Sequence, residues 1–247
     1  MIRPDHAIRD AIAFLTVLPV GRRHAAPGPE AVAAFPLVGL LVGLAWAVVA
    51  VPLSTLQTNA VPAAFVLVVD AALTGMLHLD AIADVTDGVV SRRDPDEAVA
   101  IMREPTVGAA GAAAVVLGCL LRFAILIVAV DAAQWLLAAP IAGRTAMAWL
   151  LWLLPVRDGS SLAALFSRPG PGPVAVATGL AVLLLAVLAP AASRGLLALA
   201  VAIAVALLYA AWWRHRFGGV TGDGVGAGGF AAETAALLAV LSLQTLG

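Results

Sequence analysis

Lysine is absent from this 247-residue chain; all fourteen basic residues are arginine. Acidic residues number fifteen, so the net charge is −1. That balance excludes the broad basic surface of a nucleic-acid binder. Cysteine is limited to Cys119, inside an apolar run. One cysteine makes neither an internal disulfide nor a cysteine metal cage. Charge of either sign is scarce, at 12% of residues. A cleavable export signal is not expected. Residues 11–20 are apolar, but Arg22 and Arg23 follow them, which is the wrong polarity. Ten residues are also too few to span a bilayer, so an interfacial helix is expected there. No clear internal repeat is visible.

Apolar residues are what the chain has in excess. They make up 62% of it, and mean hydropathy is +1.03. Soluble domains are nearer half apolar. The composition predicts an all-α, polytopic integral membrane bundle with about seven transmembrane helices. Apolar runs fall near 33–56, 60–78, 109–131, 134–155, 174–192, 195–213 and 225–246. Each is long enough for a hydrocarbon core of about 30 Å at about 1.5 Å per residue. Pro140 and Gly143 predict a break or kink in the fourth.

Arginine counting sets the orientation. Segments 1–32, 79–108, 156–173 and 214–224 hold four, three, two and two arginines. The opposite loops hold only Arg194, while Arg122 and Arg144 lie within spans. The positive-inside bias then places the N-terminus in the cytoplasm. The expected organisation is a single membrane domain, 1–247. Its cytoplasmic parts are an interfacial N-terminal segment (1–32), an Asp-rich loop (79–108) and a Gly-rich loop (214–224). Residues 156–173 form a further Pro/Gly/Ser-rich loop.

The stretch His78 to Gly88 carries Asp80, Asp84 and Asp87 within eight residues. As a helix their i, i+4, i+7 spacing puts them on one face, with His78 on the other. Like charges so spaced repel, and a divalent metal is the simplest compensation. Mg²⁺ takes a few carboxylates and completes its shell with water and substrate phosphates, which suits phosphoryl or nucleotidyl transfer. The structural alternative is a charged membrane-edge helix with Asp80 near its N-terminus. His78 beside the cluster is a candidate base or phosphate contact, or simply an interfacial histidine. In Ile101 to Gly111, Arg103 is a candidate phosphate contact and Glu104 a candidate metal ligand, against the alternative of a juxtamembrane ion pair.

Arg144, deep in an apolar run, is either a phosphate contact at the cytoplasmic mouth or a structural partner of Asp70 or Asp131. For Arg122 and Asp70 the structural pair is preferred. Thr221 and Gly222 sit in the glycine-dense segment 218–229, where backbone N–H groups can approach an anion. Asp223 either caps the following span or ligates the metal, and Glu233 lies inside that span. The alternative for the glycines is close helix packing.

Together these residues resemble the cobalamin 5'-phosphate synthase family, the adenosylcobinamide-GDP ribazoletransferases. The similarity runs through Phe14-Leu15-Thr16 with Leu18-Pro19-Val20, and through Phe35-Pro36-Leu37-Val38-Gly39. It continues through His78-Leu79-Asp80, Ala83-Asp84 and Asp87-Gly88, then Ile101-Met102 with Arg103, Glu104, Gly108 and Gly111. Gly143-Arg144 and Gly218 to Asp223 complete it. Some residues depart from the family pattern. Ala81 stands for a Gly, Arg103-Glu104 for Lys-Asp, Pro105 for a Ser, Ala110 for an aromatic and Phe230 for an acid.

The resemblance implies an Mg²⁺-dependent transfer in the bacterial cytoplasmic (inner) membrane, with the active site facing the cytoplasm. A hydroxyl of α-ribazole, or of its 5'-phosphate, attacks the corrinoid-side phosphorus of adenosylcobinamide-GDP, and GMP leaves. Metal ligands are then expected among Asp80, Asp84, Asp87, Asp223 and Glu104. Phosphate contacts are expected from Arg103, Arg144, Thr221 and Gly222. The implied partners are these substrates and the bilayer; a homo-oligomer is compatible with the sequence.

Two other readings compete. Asp84-x-x-Asp87-Gly88-x-x-Ser91-Arg92 looks like half of the CDP-alcohol phosphotransferase motif, but Ile101 occupies the position of its next Gly. An ion-coupled transporter would use Asp70, Arg122, Arg144 and Glu233 as its pathway.

Overall fold

The computed structural model describes residues 4–20, 28–130, 133–155, 157, 168–188 and 192–242. Arg22, Arg23, Asp131 and most of the 156–173 loop lie outside the described residues. Ten α-helices account for nearly all of the rest. They are α1 (Pro4–Leu15), α2 (Phe35–Leu53), α3 (Ala60–Thr74), α4 (Leu77–Val90), α5 (Pro95–Ile101), α6 (Ala109–Ala129), α7 (Ala133–Leu153), α8 (Pro171–Leu188), α9 (Ala192–Phe217) and α10 (Gly222–Ser242). A 3₁₀ turn, Pro29–Ala34, leads into α2.

Six of these are long and apolar enough to cross a membrane: α2 with its 3₁₀ turn, α6, α7, α8, α9 and α10. The pair α3 and α4 makes a seventh when taken as one broken span. The outer surface fits a bilayer. Val48, Leu117, Val187 and Leu208 are each about two-thirds or more exposed, on faces with no polar residue to gain from water.

Helix α7 is the centre of the bundle. It is 78% buried and packs against α2, α8, α9 and α10, whereas α6 and α8 are only 22% buried. The predicted break at Pro140 and Gly143 does not occur; α7 runs continuously through both. Pro140 has no N–H for the carbonyl of Leu136. Helix α2 seals that weak point. A Cβ added to Gly43 would lie 2.8 Å from the Leu136 carbonyl oxygen, and Gly39 lies against the carbonyl of Pro140. The Gly-x-x-x-Gly spacing on α2 lets the two backbones meet.

The second predicted span ends early. Gly75 and Met76 both adopt left-handed backbone, with φ of 62° and 60°, and α4 leaves α3 at 86°. Gly75 tolerates this freely; Met76 does not, so its conformation is held by what surrounds it. Residues 79–90, expected as part of a loop, are therefore helix. The rest of the predicted loop holds α5, started by Asp94, whose carboxylate accepts from the N–H groups of Asp96 and Glu97, with Pro95 next.

Candidate active site

Helix α4 lies between α6 and α10, because its small residues allow close approach. Ala81 faces Gly226 of α10; a Cβ at 226 would sit 2.7 Å from that of Ala81. Gly226 supplies the room for the Ala81 methyl group. Gly88 meets Met102 and the backbone of Ala98, which seats α5 on the far end of α4.

This packing opens a cavity of about 370 Å³ at one end of the bundle. Asp80 and Asp84 come from α4, Arg103 and Glu104 from the turn after α5, and Asp223 from the first turn of α10. Met102, Pro105 and Val107 complete the wall. Electrostatically, Asp84 is acted on by Asp80, Asp223 and Asp87, in that order. Arg103 is the cation that acts on Asp223.

Asp87 shares the face of Asp80 and Asp84 but does not line the cavity. Its Oδ2 accepts from the N–H of Gly108 at 2.7 Å and its Oδ1 from the N–H of Gly111 at 2.8 Å. It thus takes up unpaired donors at the N-terminus of α6, where a carboxylate also suits the helix dipole. Both glycines are needed for that approach. A Cβ at Gly111 would lie 2.8 Å from the carbonyl oxygen of Ala83 and closer still to the Asp87 carboxylate. Gly111→Ala is expected to destabilise the protein by about 1–3 kcal/mol through overpacking. Thermal unfolding in detergent measures it, and an unchanged midpoint would show that α6 can shift away at no cost.

Thr221 is likewise a helix-start residue. It is buried, and its Oγ1 accepts from the N–H of Gly224 at 3.1 Å. That hydroxyl caps α10. Gly222 is the first residue of α10, with open space where a Cβ would point.

Arg144, Glu233 and His78 are placed away from the cavity. Arg144 is 1% exposed and pairs through Nη1 with Glu233, itself 2% exposed. Arg122 donates from Nη1 to Glu233 at 2.9 Å, and Asp70 lies 3.7 Å from Arg122 and 3.8 Å from Arg144. Four helices thus contribute two cations and two anions to one neutral network. The preferred Arg122–Asp70 pair is present within it. Arg144 as a phosphate contact is corrected: two buried acids already hold it. His78 is 5% exposed, and the charges acting on it are Arg144 and Arg122. Phe230 offers Arg122 its carbonyl at 3.1 Å and its ring at 3.7 Å. The ring contact is a cation–π interaction.

Among the described residues, no three acidic, histidine or cysteine groups form a ready-made metal cage. The donor set nevertheless suits Mg²⁺. Four carboxylates on three elements face an open, water-accessible cavity, and Mg²⁺ favours a few carboxylates with water and phosphate oxygens completing its shell.

A family model described as cobalamin-5-phosphate synthase matches residues 7–241. The chain belongs to the cobalamin-5-phosphate synthase family. Among its relatives, a protein of Roseiflexus sp. (strain RS-1) is 36% identical, with 98% of this chain and 91% of that protein aligned. A protein of Novosphingobium aromaticivorans is 34% identical over 83% of this chain and 81% of its own length. One of Sinorhizobium medicae is 36% identical over 62% of this chain, which spans 64% of that protein's length. All three bear the name adenosylcobinamide-GDP ribazoletransferase. No solved structure matches the chain.

Proposed function

We propose that this protein is a membrane transferase that joins adenosylcobinamide-GDP to α-ribazole, or to α-ribazole 5'-phosphate, and releases GMP. The observation that carries this reading is the convergence of Asp80, Asp84, Glu104, Asp223 and Arg103 on one open cavity in a chain of this family. In the reaction an oxygen–phosphorus bond forms between the ribazole hydroxyl and the corrinoid-side phosphorus. The bond from that phosphorus to the bridging oxygen breaks, and GMP leaves with the electron pair. Asp80, Asp84, Glu104 and Asp223 would hold Mg²⁺, which supplies charge neutralisation at the pyrophosphate and the leaving GMP. Arg103, exposed at the cavity wall, is placed to hold a phosphate oxygen. Whichever of these carboxylates is left free of the metal would accept the hydroxyl proton, because His78 is buried away from the cavity.

The cavity faces the cytoplasm of a bacterial inner membrane in this reading. It opens beside the starts of α6 and α10, the ends that the arginine distribution assigns to the cytoplasm. The four charges of the transporter alternative form one buried, neutral network.

The test is GMP release by purified protein in detergent or nanodiscs, given adenosylcobinamide-GDP, α-ribazole and Mg²⁺. Release is expected to stop with EDTA and return with Mg²⁺. No release under any lipid condition rejects the activity. Release indifferent to EDTA rejects only the metal.

A further inference from the structure

Helix α10 carries both a cavity residue, Asp223, and a network residue, Glu233. Ten residues separate them, about 15 Å along the helix axis. The stretch between is unusual. Gly224, Gly226, Gly228 and Gly229 leave the first half of α10 almost without knobs. Trp213, Met147 and Leu150 press into its glycine notches and Ala81 meets Gly226, apolar contacts that carry no direction of their own.

The second half is different. Glu233 fills a notch made by Gly143 of α7, where an added Cβ would lie 2.6 Å from that of Glu233. Its two oxygens engage Arg122 of α6 and Arg144 of α7. Thr234 accepts from Arg122 Nε at 2.9 Å, and the Phe230 carbonyl accepts from Arg122 Nη2. Arg144 depends on Glu233 in turn. Its Nε and Nη2, fully buried, have no hydrogen-bond partner among the described residues.

We propose that Glu233, with Arg144 and Arg122, is a positioning residue for the cavity: it sets the axial register of α10 and so places Asp223 opposite Asp80 and Asp84. A slip of one residue along α10 displaces Asp223 by about 1.5 Å. That distance is enough to spoil a shared metal or phosphate site. Glycine-rich packing brings α10 close to α4, and the buried charges decide where along its length it stops.

The test uses the full chain in detergent, with Cys119→Ser as background. Asp80→Cys and Asp223→Cys place one thiol on each side of the cavity, and a short bismaleimide reports their separation. Cross-linking is expected to be fast with Glu233 and at least about fivefold slower with Glu233→Asp, which keeps the charge and withdraws it by one methylene. An equal rate overturns the proposal, as does no cross-link at all in the Glu233 parent. Arg144→Lys keeps the charge and loses the fork; it is the second variant should Glu233→Asp not fold, and the same slowing is expected.

A second arm rests on the Mg²⁺ reading. Mn²⁺ binding to the chain with its cavity acids intact, followed by electron paramagnetic resonance, is expected to weaken about tenfold with Glu233→Asp, as for residues that orient metal ligands. Unchanged Mn²⁺ affinity overturns the positioning role. A parent that binds no Mn²⁺ rejects the metal reading alone, and the cross-linking rate still decides the register. A residue important only for stability would lower the unfolding temperature and leave both readouts unmoved.

Discussion

Asp84→Asn is expected to lower GMP release by at least about a thousandfold, the equivalent of about 4 kcal/mol of transition-state stabilisation. Asp84 stands in the middle of the cavity acids, under the influence of Asp80, Asp223 and Asp87. The amide keeps the shape and removes the charge that would hold a cation against the pyrophosphate. The same change is expected to leave stability intact or raise it slightly. Its like-charged neighbour Asp80 is one helical turn away, and such pairs cost about 0.2–0.5 kcal/mol. The expected result is therefore a folded, inserted, inactive protein. Turnover and thermal unfolding measured on the same preparation check it. Full activity in this variant would mean that the cavity acids are structural.

Arg122→Met is expected to act in the opposite way, on the fold. Arg122 donates to Thr234, to the Phe230 carbonyl and to Glu233, and lies beside Asp70. Its removal leaves two buried acids facing Arg144 alone. Breaking a buried pair by deleting one partner costs about 3–5 kcal/mol, because the remaining charge stays desolvated. That is a large part of a total stability of about 5–15 kcal/mol. Adding Asp70→Asn restores neutrality, and the double variant is expected to recover part of the loss, with a coupling of about 0.5–3 kcal/mol. Chemical unfolding of the single and double variants measures both terms. A single variant within about 0.5 kcal/mol of the parent would show that water reaches the network.

The different outcomes expected for these two substitutions follow from where the charges sit. Both residues drew attention in the sequence for one reason: a charge in an apolar chain is costly and needs a use. Burial separates the uses. Asp84 faces an open cavity; Arg122 is 3% exposed among four helices. Asp80, Asp84, Glu104, Arg103 and Asp223, which the structure brings to one cavity, stand in sequence at helix ends and in polar segments. Asp87, Thr221 and Arg144 were not separable from them. Each is a polar residue in the right motif, but its partners are 3 to 89 positions away, as with Gly111 for Asp87, Gly224 for Thr221 and Glu233 for Arg144.

Local composition alone determined the membrane character, the helical class and the approximate spans, because a hydrocarbon core of about 30 Å demands runs of that length and forbids unpaired backbone. It also marked the acidic stretch of α4, since three carboxylates on one helical face need a partner. Tertiary structure alone decided the rest. Left-handed backbone at Gly75 and Met76 turned the end of the second span into a separate helix. Close packing at Pro140 kept α7 whole. The division of nine charged residues between an open cavity and a buried network came from which helices meet, and helix contacts depend on side-chain volume at positions far apart in the chain.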